Sequence, residues 1–423
     1  MGCAPSKNID LTGEVSLYHF DLHRVVGKGA FGKVRVVQHK RSKNLYALKY
    51  MDKQQCLKQK AVPNIIQERR LLEEVDHPFL VNLRYAFQDD DNCFFVLDLM
   101  LGGDLRYHLN TRGNFPESVV RFWTAELASG LVYLHSNGIM HRDIKPENIL
   151  LDAKGHAALT DLNIAMHYSQ HRMHTSVAGS MAYMAPEVVD DKRPGYSWQV
   201  DWWSLGVCVY ELLWNRRPFD GKSAEKMRES IMTHPIRKPS QRHGAVSSEC
   251  TAALFGLLER DPKKRLGCRT GFSSIDEIQS QNWFSQINWE KLQAKQLDPP
   301  FVPNQDSANF DFSHQLDEFM LAEKPLTAHK RKANPEKMKP EMRQLETDFT
   351  VYDFERSGRR SYYPLNEPLV AEHSHDGRLR PTFTSSSHTN TNTYVQSSTA
   401  TSQTRSSTSH SERPRYSSQH DPR

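Results

Sequence analysis

Hydrophobic and polar positions follow two different patterns in the central part of the chain. Val34-Arg35-Val36 and Tyr46-Ala47-Leu48 alternate or cluster strand-forming residues, and Lys43-Asn44 between them is typical of a turn. Later, apolar residues recur three or four positions apart, which predicts a helix with one buried face: Val120, Trp123, Leu127, Leu131 and Leu134. The pattern predicts a small strand-rich lobe followed by a larger helical lobe.

A second helical stretch differs from the first because it is apolar on almost every side. It runs from Trp202 to Trp214 and contains only a few polar residues. A helix of this kind is surrounded by other elements. We therefore expect it to lie at the centre of the helical lobe.

Composition divides the chain into four segments. A short polar segment covers residues 1–18, the patterned domain covers 19–284, and a Pro-, Lys- and Asn-rich tail and basic linker covers 285–370. Residues 371–423 form the last segment. From Pro381 to Arg423, 21 of 43 residues are Ser or Thr. Such a stretch buries too little apolar surface to offset its ordering entropy, so we predict that it is disordered.

Charge and cysteine content narrow the class of protein. The formal net charge is only +5, which argues against nucleic-acid binding by charge alone. None of the six cysteines forms a CxxC pair, so neither a disulfide framework nor a zinc ribbon is indicated. No apolar run reaches the roughly 18 residues that a transmembrane helix needs, and the first residues do not resemble a secretory signal. We expect a reducing, intracellular location.

A glycine-rich run suggests a phosphate-binding loop. Gly27-Lys28-Gly29-Ala30-Phe31-Gly32-Lys33-Val34 has the spacing GxGxxG, which lets backbone N–H groups approach phosphates. By itself it could equally be an ordinary glycine turn. A dinucleotide-binding fold would place a helix directly after it, whereas here a strand follows. The run therefore favours a glycine flap over a nucleotide.

A lysine and then a glutamate follow the glycine run along the chain. Lys49 lies on the next predicted strand, and Glu68 lies in the helical stretch Ile65–Leu72. Each alone is usually a surface residue. A lysine that holds the α- and β-phosphates needs a carboxylate to direct it, so the order favours an ion pair.

The most specific motif is His141-Arg142-Asp143-Ile144-Lys145-Pro146-Glu147-Asn148. One carboxylate can accept the proton of an attacking hydroxyl, and the Asn148 amide oxygen can ligate Mg²⁺. Thirteen residues later, Asp161 offers a second oxygen ligand. Ala185-Pro186-Glu187 ends the segment. All these elements in this order indicate phosphoryl transfer.

The chain resembles eukaryotic protein kinases over about Phe20–Phe284. The resemblance implies an α+β class and a bilobal fold, with ATP and Mg²⁺ (or Mn²⁺) in the cleft. It implies that Lys49 and Glu68 form the ion pair, Asp143 is the catalytic base and Lys145 supports the transferred phosphoryl group, as in serine/threonine kinases. Asn148 and Asp161 would hold the metal.

The resemblance also implies a nucleotide site and a structural brace. Asp98-Leu99-Met100 would be the hinge that binds adenine, after Leu97 as gatekeeper, and Glu187 would pair with Arg265. The implied nucleotide-binding residues are Gly27, Lys28, Gly29, Ala30, Phe31, Gly32, Val34, Ala47, Lys49, Asp98, Met100, Asp104, Glu147 and Leu150.

One motif departs from the family pattern. Asp161-Leu162-Asn163 stands where kinases have Asp-Phe-Gly. Leucine keeps the apolar contact, so Leu72, Leu83, His141 and Leu162 could stack as a regulatory spine, and asparagine tolerates a positive φ. An active kinase is favoured because the metal ligand is retained. A pseudokinase scaffold and a function residing in the Ser/Thr-rich tail remain as alternatives.

Within the kinases, the chain resembles the serine/threonine-protein kinase 32 (YANK) group of the AGC kinases, whose corresponding motif is Asp-Phe-Asn. Pro300-Phe301-Val302-Pro303 and Asn309-Phe310-Asp311 resemble the AGC C-terminal tail, and Asp348–Tyr352 resembles its distal part loosely. No clear Phe-x-x-Phe-Ser/Thr-Phe/Tyr motif is present.

The AGC resemblance implies two further features. Asp104 and Glu147 would face arginines upstream of the phosphorylated Ser or Thr, which predicts a basophilic protein substrate. Ser176 matches the usual activation-segment phosphosite, where added charge could pair with Arg142. Constitutive activity with unmodified Ser176 is the alternative.

The first seven residues fit an acylation signal. Met1-Gly2-Cys3-Ala4-Pro5-Ser6-Lys7 has the myristoylation pattern, with Gly2 as the acceptor. A single myristate binds a membrane marginally, and a palmitoyl chain on Cys3 would make the attachment durable. We expect the protein at the cytoplasmic face of the plasma membrane or of endomembranes.

Overall fold

The computed structural model describes residues 13–28, 32–169, 173–237, 246–304, 309, 326–327, 338–359, 361–362, 370–373 and 379–382. Strands and helices separate along this chain as an α+β protein requires. The first part is built on a sheet, and the second part is mainly helical.

The small lobe is a six-stranded antiparallel sheet in the order β1-β2-β3-β5-β4-β11. Its strands are β1 Phe20–Lys28, β2 Lys33–His39, β3 Leu45–Asp52, β4 Leu83–Gln88, β5 Asn92–Leu97 and β11 Tyr352–Asp353. Helices α1 (Lys53–Lys58) and α2 (Val62–Glu74) connect β3 to β4. The predicted strands around Val34 and Tyr46 are confirmed, and the predicted turn contains Lys43 at φ 60°.

The large lobe contains most of the helices. They are α3 Leu105–Arg112, α4 Glu117–Ser136, α5 Pro186–Val189, α6 Gln199–Trp214, α7 Ala224–Thr233, α8 Ser248–Leu257, α9 Ile275–Gln279 and α10 Trp289–Gln293. Short strands line its boundary with the small lobe: β6 Gly103–Asp104, β7 Ile139–Met140, β8 Ile149–Leu151, β9 Ala157–Leu159 and β10 Met166–His167.

Helices α4 and α6 form the centre of this lobe. The predicted apolar face of α4 is fully buried, and α6 is buried from Val200 to Trp214. The prediction that α6 is surrounded on every side is therefore confirmed. Its C-terminus is closed by Asn215 in the left-handed conformation at φ 51°, which ends the helix and starts an exposed turn.

The C-terminal tail first packs on the large lobe and on the hinge. The Phe301 ring lies at 5.4 Å from the rings of Phe115 and Trp123. Gly103 at the hinge has φ 77°, and a Cβ there would lie 1.8 Å from the backbone oxygen of Asn309. Glycine is required at this position because the tail crosses so closely.

Further along, the tail packs on the small lobe through helix α11 (Pro340–Asp348) and strand β11. Tyr352 pairs with Ala86 of β4, so the tail extends the sheet by one strand. The Phe349 ring packs on Phe95 at 5.2 Å, and Gln88 Nε2 donates to the backbone oxygen of Phe349 at 2.8 Å. The stretch that only loosely resembled a distal kinase tail is thus an integral edge of the small lobe.

A separate hairpin lies beyond this tail, in strands β12 (Val370–His373) and β13 (Leu379–Thr382). It overlaps the stretch 371–423 for which composition predicts disorder, and that disorder stays a prediction. The Ser/Thr-rich residues after 382 lie outside the described part. Among the described residues, no helix combines the length and apolar character needed to cross a membrane.

Candidate active site

In the candidate site, Lys49 of the small lobe contacts residues of both lobes. From β3, its Nζ lies 2.7 Å from Glu68 Oε1 on α2 and 3.1 Å from Asp161 Oδ1. Burial alone would lower the pKa of Lys49, but the two carboxylates outweigh it and raise that pKa. For Asp161, burial is outweighed by Lys49, which holds the pKa of the carboxyl below its ordinary value. The predicted Lys49–Glu68 pair is present, and both Lys49 and Asp161 carry charge at neutral pH.

Glu68 is buried rather than on the surface, with 3% of its area exposed. Burial raises its pKa, and the Lys49 ammonium partly opposes that rise. A carboxylate so enclosed is stable only with a cationic partner. The position of α2 is therefore tied to the position of Lys49.

Asp143 is held in the cleft by three neighbours. Lys145 Nζ donates to its Oδ2 at 2.6 Å, Asn148 Nδ2 donates to the same oxygen at 3.1 Å, and Ser180 Oγ donates to Oδ1 at 3.0 Å. Lys145 also donates to Ser180 Oγ at 3.0 Å. The structure brings the predicted base and its lysine together, and it adds Ser180, which the sequence analysis did not single out.

The backbone of this loop is positioned by Asp201 at the start of α6. Its Oδ2 accepts from the backbone N–H of His141 at 2.8 Å, and its Oδ1 accepts from that of Arg142 at 2.9 Å. Burial disfavours the ionised form, but the hydrogen bond with His135 outweighs it and lowers the pKa of Asp201. The sequence analysis missed Asp201, although an acid inside an apolar helix is a signal that could have found it.

The backbone still turns after Asp161-Leu162, as the sequence predicts. The positive φ, 69°, lies at Asp161, and Asn163 has a negative φ. The expected turn is therefore made at Asn163–Ile164 without a left-handed asparagine. Instead, Asn163 Nδ2 donates to Asp161 Oδ2 at 3.3 Å, which orients the carboxylate. Leu162 is buried, as are the three other residues predicted for the spine.

The nucleotide-binding role of the residues implied for it stays a prediction, and the structure describes the positions of most of them. Val34, Ala47, Met100 and Leu150 are half-buried on β2, β3, the hinge and β8. The side chain of Lys28 and all of Gly29, Ala30 and Phe31 lie outside the described residues. Gly27 and Gly32 lie on either side of these residues in the sequence. A Cβ on Gly32 would lie 2.1 Å from the backbone oxygen of Tyr50.

At the hinge, the Asp98 carboxylate faces away from an adenine site. It accepts from Arg84 Nε at 2.5 Å and from Asn82 Nδ2 at 3.0 Å, and it is buried. Within the described part of the chain, the Asp98 carbonyl and the Met100 N–H make no backbone hydrogen bond. Both backbone groups are therefore available, and adenine binding at this hinge stays a prediction.

The donor set suits a hard cation shared with phosphate. Asn148 uses its amide N–H groups on Asp143, which leaves its Oδ1 as an acceptor, and Asp161 offers a charged oxygen. Across the described residues, no group of three or more His, Cys, Asp or Glu side chains could hold a metal alone. Mg²⁺ typically takes one or two carboxylates and completes its shell with substrate phosphates. Asn148 and Asp161 therefore fit a Mg²⁺ site of this kind.

Interatomic distances bear on two further predictions, the Glu187–Arg265 brace and the phosphosite at Ser176. Arg265 donates to both oxygens of Glu187, at 2.6 and 2.9 Å, so the predicted brace is confirmed. Ser176 is exposed, and its Oγ lies 3.5 Å from Arg142 Nη1. A phosphate on Ser176 could reach this guanidinium, and its regulatory role stays a prediction.

The two carboxylates expected to face substrate arginines already have partners. Asp104 caps α3 by accepting from the Tyr107 N–H at 2.8 Å. Glu147 accepts from Arg106 Nε at 2.9 Å. Glu147 is therefore engaged by an arginine of the chain itself, and the basophilic preference stays a prediction.

Residues 20–284 match the family model described as the protein kinase domain. The match covers more than half of the chain, so the chain belongs to the protein kinase family, and its two lobes are those of the predicted bilobal α+β fold. Within that family, serine/threonine-protein kinase 32B of Homo sapiens is 44% identical over 329 residues, covering 76% of this chain and 77% of that protein.

Two further relatives place the chain among the serine/threonine kinases. Serine/threonine-protein kinase 32C of Homo sapiens is 39% identical over 381 residues, covering 86% of this chain and 77% of that protein. Serine/threonine-protein kinase Sgk1 of Fundulus heteroclitus is 42% identical over 322 residues, covering 74% and 72%. The predicted resemblance to the serine/threonine-protein kinase 32 group is confirmed, and the chain is a serine/threonine protein kinase.

Proposed function

We propose that the protein transfers the γ-phosphoryl group of ATP to Ser and Thr hydroxyls of protein substrates while it is held at the cytoplasmic face of a membrane. The observation that carries the transfer reaction is the position of Lys49 Nζ, which lies 2.7 Å from Glu68 Oε1 and 3.1 Å from Asp161 Oδ1. A kinase site needs this ion pair and the metal-binding aspartate in place together.

Each residue of the site has a role in the transfer. Lys49 holds the α- and β-phosphates, and Lys145, 2.6 Å from Asp143, neutralises charge on the phosphoryl group. Asp143 accepts the proton of the attacking hydroxyl. Mg²⁺ bound by Asn148 and Asp161 would neutralise charge on the phosphates. Little covalent chemistry is required of the protein, so positioning dominates.

The transfer is tested with radiolabelled ATP and a degenerate Ser/Thr peptide library. Wild-type protein is expected to label the library, and Asp161→Ala is expected to leave it unlabelled because the metal ligand is lost. ATP binding by wild type without any labelling would contradict the proposal and favour a scaffold.

The membrane part of the proposal is supported by the sequence of residues 1–7, which lie outside the described residues. Gly2 and Cys3 provide two adjacent acylation sites. Two acyl chains give durable attachment, whereas one gives marginal binding of about 10⁴ M⁻¹. The basophilic preference is not carried forward, because Asp104 and Glu147 both have partners within the chain.

Gly2→Ala is expected to move most of the protein from the membrane pellet to the supernatant in fractionated cells, because the acceptor amine is lost. Cys3→Ser is expected to release only part of it, since one chain remains. The matched control is Gly13→Ala, which lies outside the acylation pattern and keeps the wild-type distribution. Membrane retention of Gly2→Ala would contradict the anchor.

A further inference from the structure

Arg106 occupies an acidic site beside the catalytic residues. From α3, its guanidinium binds Glu211 through Nη1 at 3.0 Å and Nη2 at 3.1 Å, and Glu147 through Nε at 2.9 Å. Nη2 also donates to the Tyr183 hydroxyl at 2.6 Å. The bidentate geometry is the strongest that a guanidinium makes with a carboxylate. Two carboxylates that could receive a cationic substrate side chain are therefore already satisfied.

The surroundings of Arg106 make its displacement costly. The Glu211 side chain is only 7% exposed, and that of Arg106 is 24% exposed. A substrate arginine would have to expel this guanidinium, which is tethered to the chain and has already lost much of its hydration. An occupied, partly buried site of this kind selects against a competing cation.

The outer part of the same cavity carries the opposite charge. Arg106, Asp143 and Lys145 line a cavity of about 1670 Å³ that continues to Arg216, Arg217 and Arg237. The first two of these arginines stand on the exposed turn that follows α6, and the third follows α7. Within the described ranges, no carboxylate forms an ion pair with any of the three.

The charged residues in this outer part of the cavity give it a net positive charge. In the parts of the lining that follow α6 and α7, residues 215–220 and 234–237, Asp220 is the one acidic residue against the three arginines. Its side chain is exposed, so it lowers but does not cancel the positive potential. Exposed guanidinium groups that lack a carboxylate partner are the groups that recognise carboxylate and phosphate.

We propose that the peptide-binding cavity selects acceptors flanked by anionic side chains, either carboxylates or phosphorylated residues, and that Arg106 excludes arginine from the Glu147–Glu211 site. Arg106, Arg216, Arg217 and Arg237 are thus specificity-determining residues. The inference rests on the kinase activity and is independent of membrane attachment, since it concerns peptides in solution.

The test uses the full-length protein and a set of peptides that share one acceptor serine. At each flanking position in turn, the peptide carries Arg, Gln, Glu or phosphoserine. Wild type is expected to favour the anionic peptides over the Gln peptides by about three- to tenfold in kcat/KM, as a few exposed ion pairs allow. The Glu and phosphoserine peptides separate the two sources of charge.

Variants assign the preference to named residues. Arg106→Gln frees Glu147 and Glu211, and it is expected to raise the Arg/Gln ratio of kcat/KM at one position by about tenfold. The double change Arg216→Ser with Arg217→Ser is expected to bring the Glu/Gln ratio close to one. Ratios measured on the same enzyme cancel any loss of folded protein. Arg106→Met provides a second replacement of similar volume.

The matched control is Arg121→Ala. Arg121 lies on α4, donates to Gln286 Oε1 at 3.1 Å and does not line the cavity, so both ratios are expected to keep their wild-type values. A wild-type preference for arginine, or ratios unaffected by changes at Arg106, Arg216 and Arg217, would overturn the inference. Transfer to none of the peptides would overturn the kinase activity and the specificity with it. Loss of the membrane anchor would leave the ratios unchanged.

Discussion

Asp143→Asn is expected to lower kcat for phosphoryl transfer by about 10²- to 10⁴-fold, the range for loss of a positioned general base. Asparagine keeps the volume of the side chain. Its amide oxygen can still accept from Lys145, 2.6 Å from Oδ2, while its NH₂ can donate to Ser180 Oγ, 3.0 Å from Oδ1. The neutral amide cannot take the proton of the acceptor hydroxyl. The loss therefore falls on the chemical step.

ATP binding separates this effect from a collapse of the site. Lys49, Glu68 and Asp161 are unchanged in this variant, so ATP with Mg²⁺ is expected to raise its melting temperature as much as that of wild type. Asp276→Asn, an exposed aspartate on α9, is the matched control and is expected to keep the wild-type kcat. A kcat of Asp143→Asn within tenfold of wild type would show that another group takes the proton.

The sequence predicts the catalytic centre well because its residues are close along the chain or belong to regular elements. Asp143, Lys145 and Asn148 lie within one short loop, so their proximity is local. Lys49 and Glu68 are 19 residues apart, and their pairing follows from a strand that leads into a helix. Local patterns of this kind also predict the lobes themselves.

Partners distant along the chain could not be predicted in the same way. Arg106 meets Glu147 at a separation of 41 residues and Glu211 at 105, and nothing in the local pattern of α3 indicates either contact. Asp201 and Glu211 offered one signal, since both are acids in or next to the apolar run of α6. The left-handed conformation of Asp161 could not be predicted, because a side chain's tolerance of positive φ does not say which residue of a motif adopts it.

The tail contact joins residues that lie still further apart along the chain. Lys53 at the start of α1 and Glu346 on α11 form an ion pair across 293 residues, and their side chains are 0% and 1% exposed. A buried ion pair stabilises a structure only while both partners are present. The docking of α11 on the small lobe therefore depends on charge matching as well as on the apolar contacts of Phe349.

Glu346→Leu is expected to lower the free energy of unfolding by about 3–5 kcal/mol, because it leaves the Lys53 ammonium buried without a counter-charge. The same change is expected to reduce kcat/KM. Arg69, next to Glu68 on α2, donates to the backbone oxygen of Thr350 at 3.1 Å, so release of the tail removes a support of the Lys49–Glu68 pair. Urea unfolding and hydrogen exchange in α11 measure the two effects.

The double change Lys53→Met with Glu346→Leu is expected to recover most of the lost stability, since replacing both partners by apolar groups of similar volume removes the unpaired charge. Asp348→Asn is the matched control on the same helix. Asp348 lies 3.4 Å from Arg70 in a pair whose side chains are 30% and 63% exposed, so its loss is expected to cost less than about 1 kcal/mol. Equal costs for Glu346→Leu and Asp348→Asn would mean that the buried pair does not hold the tail. A double variant no more stable than Glu346→Leu would place the cost in packing rather than in the unpaired lysine.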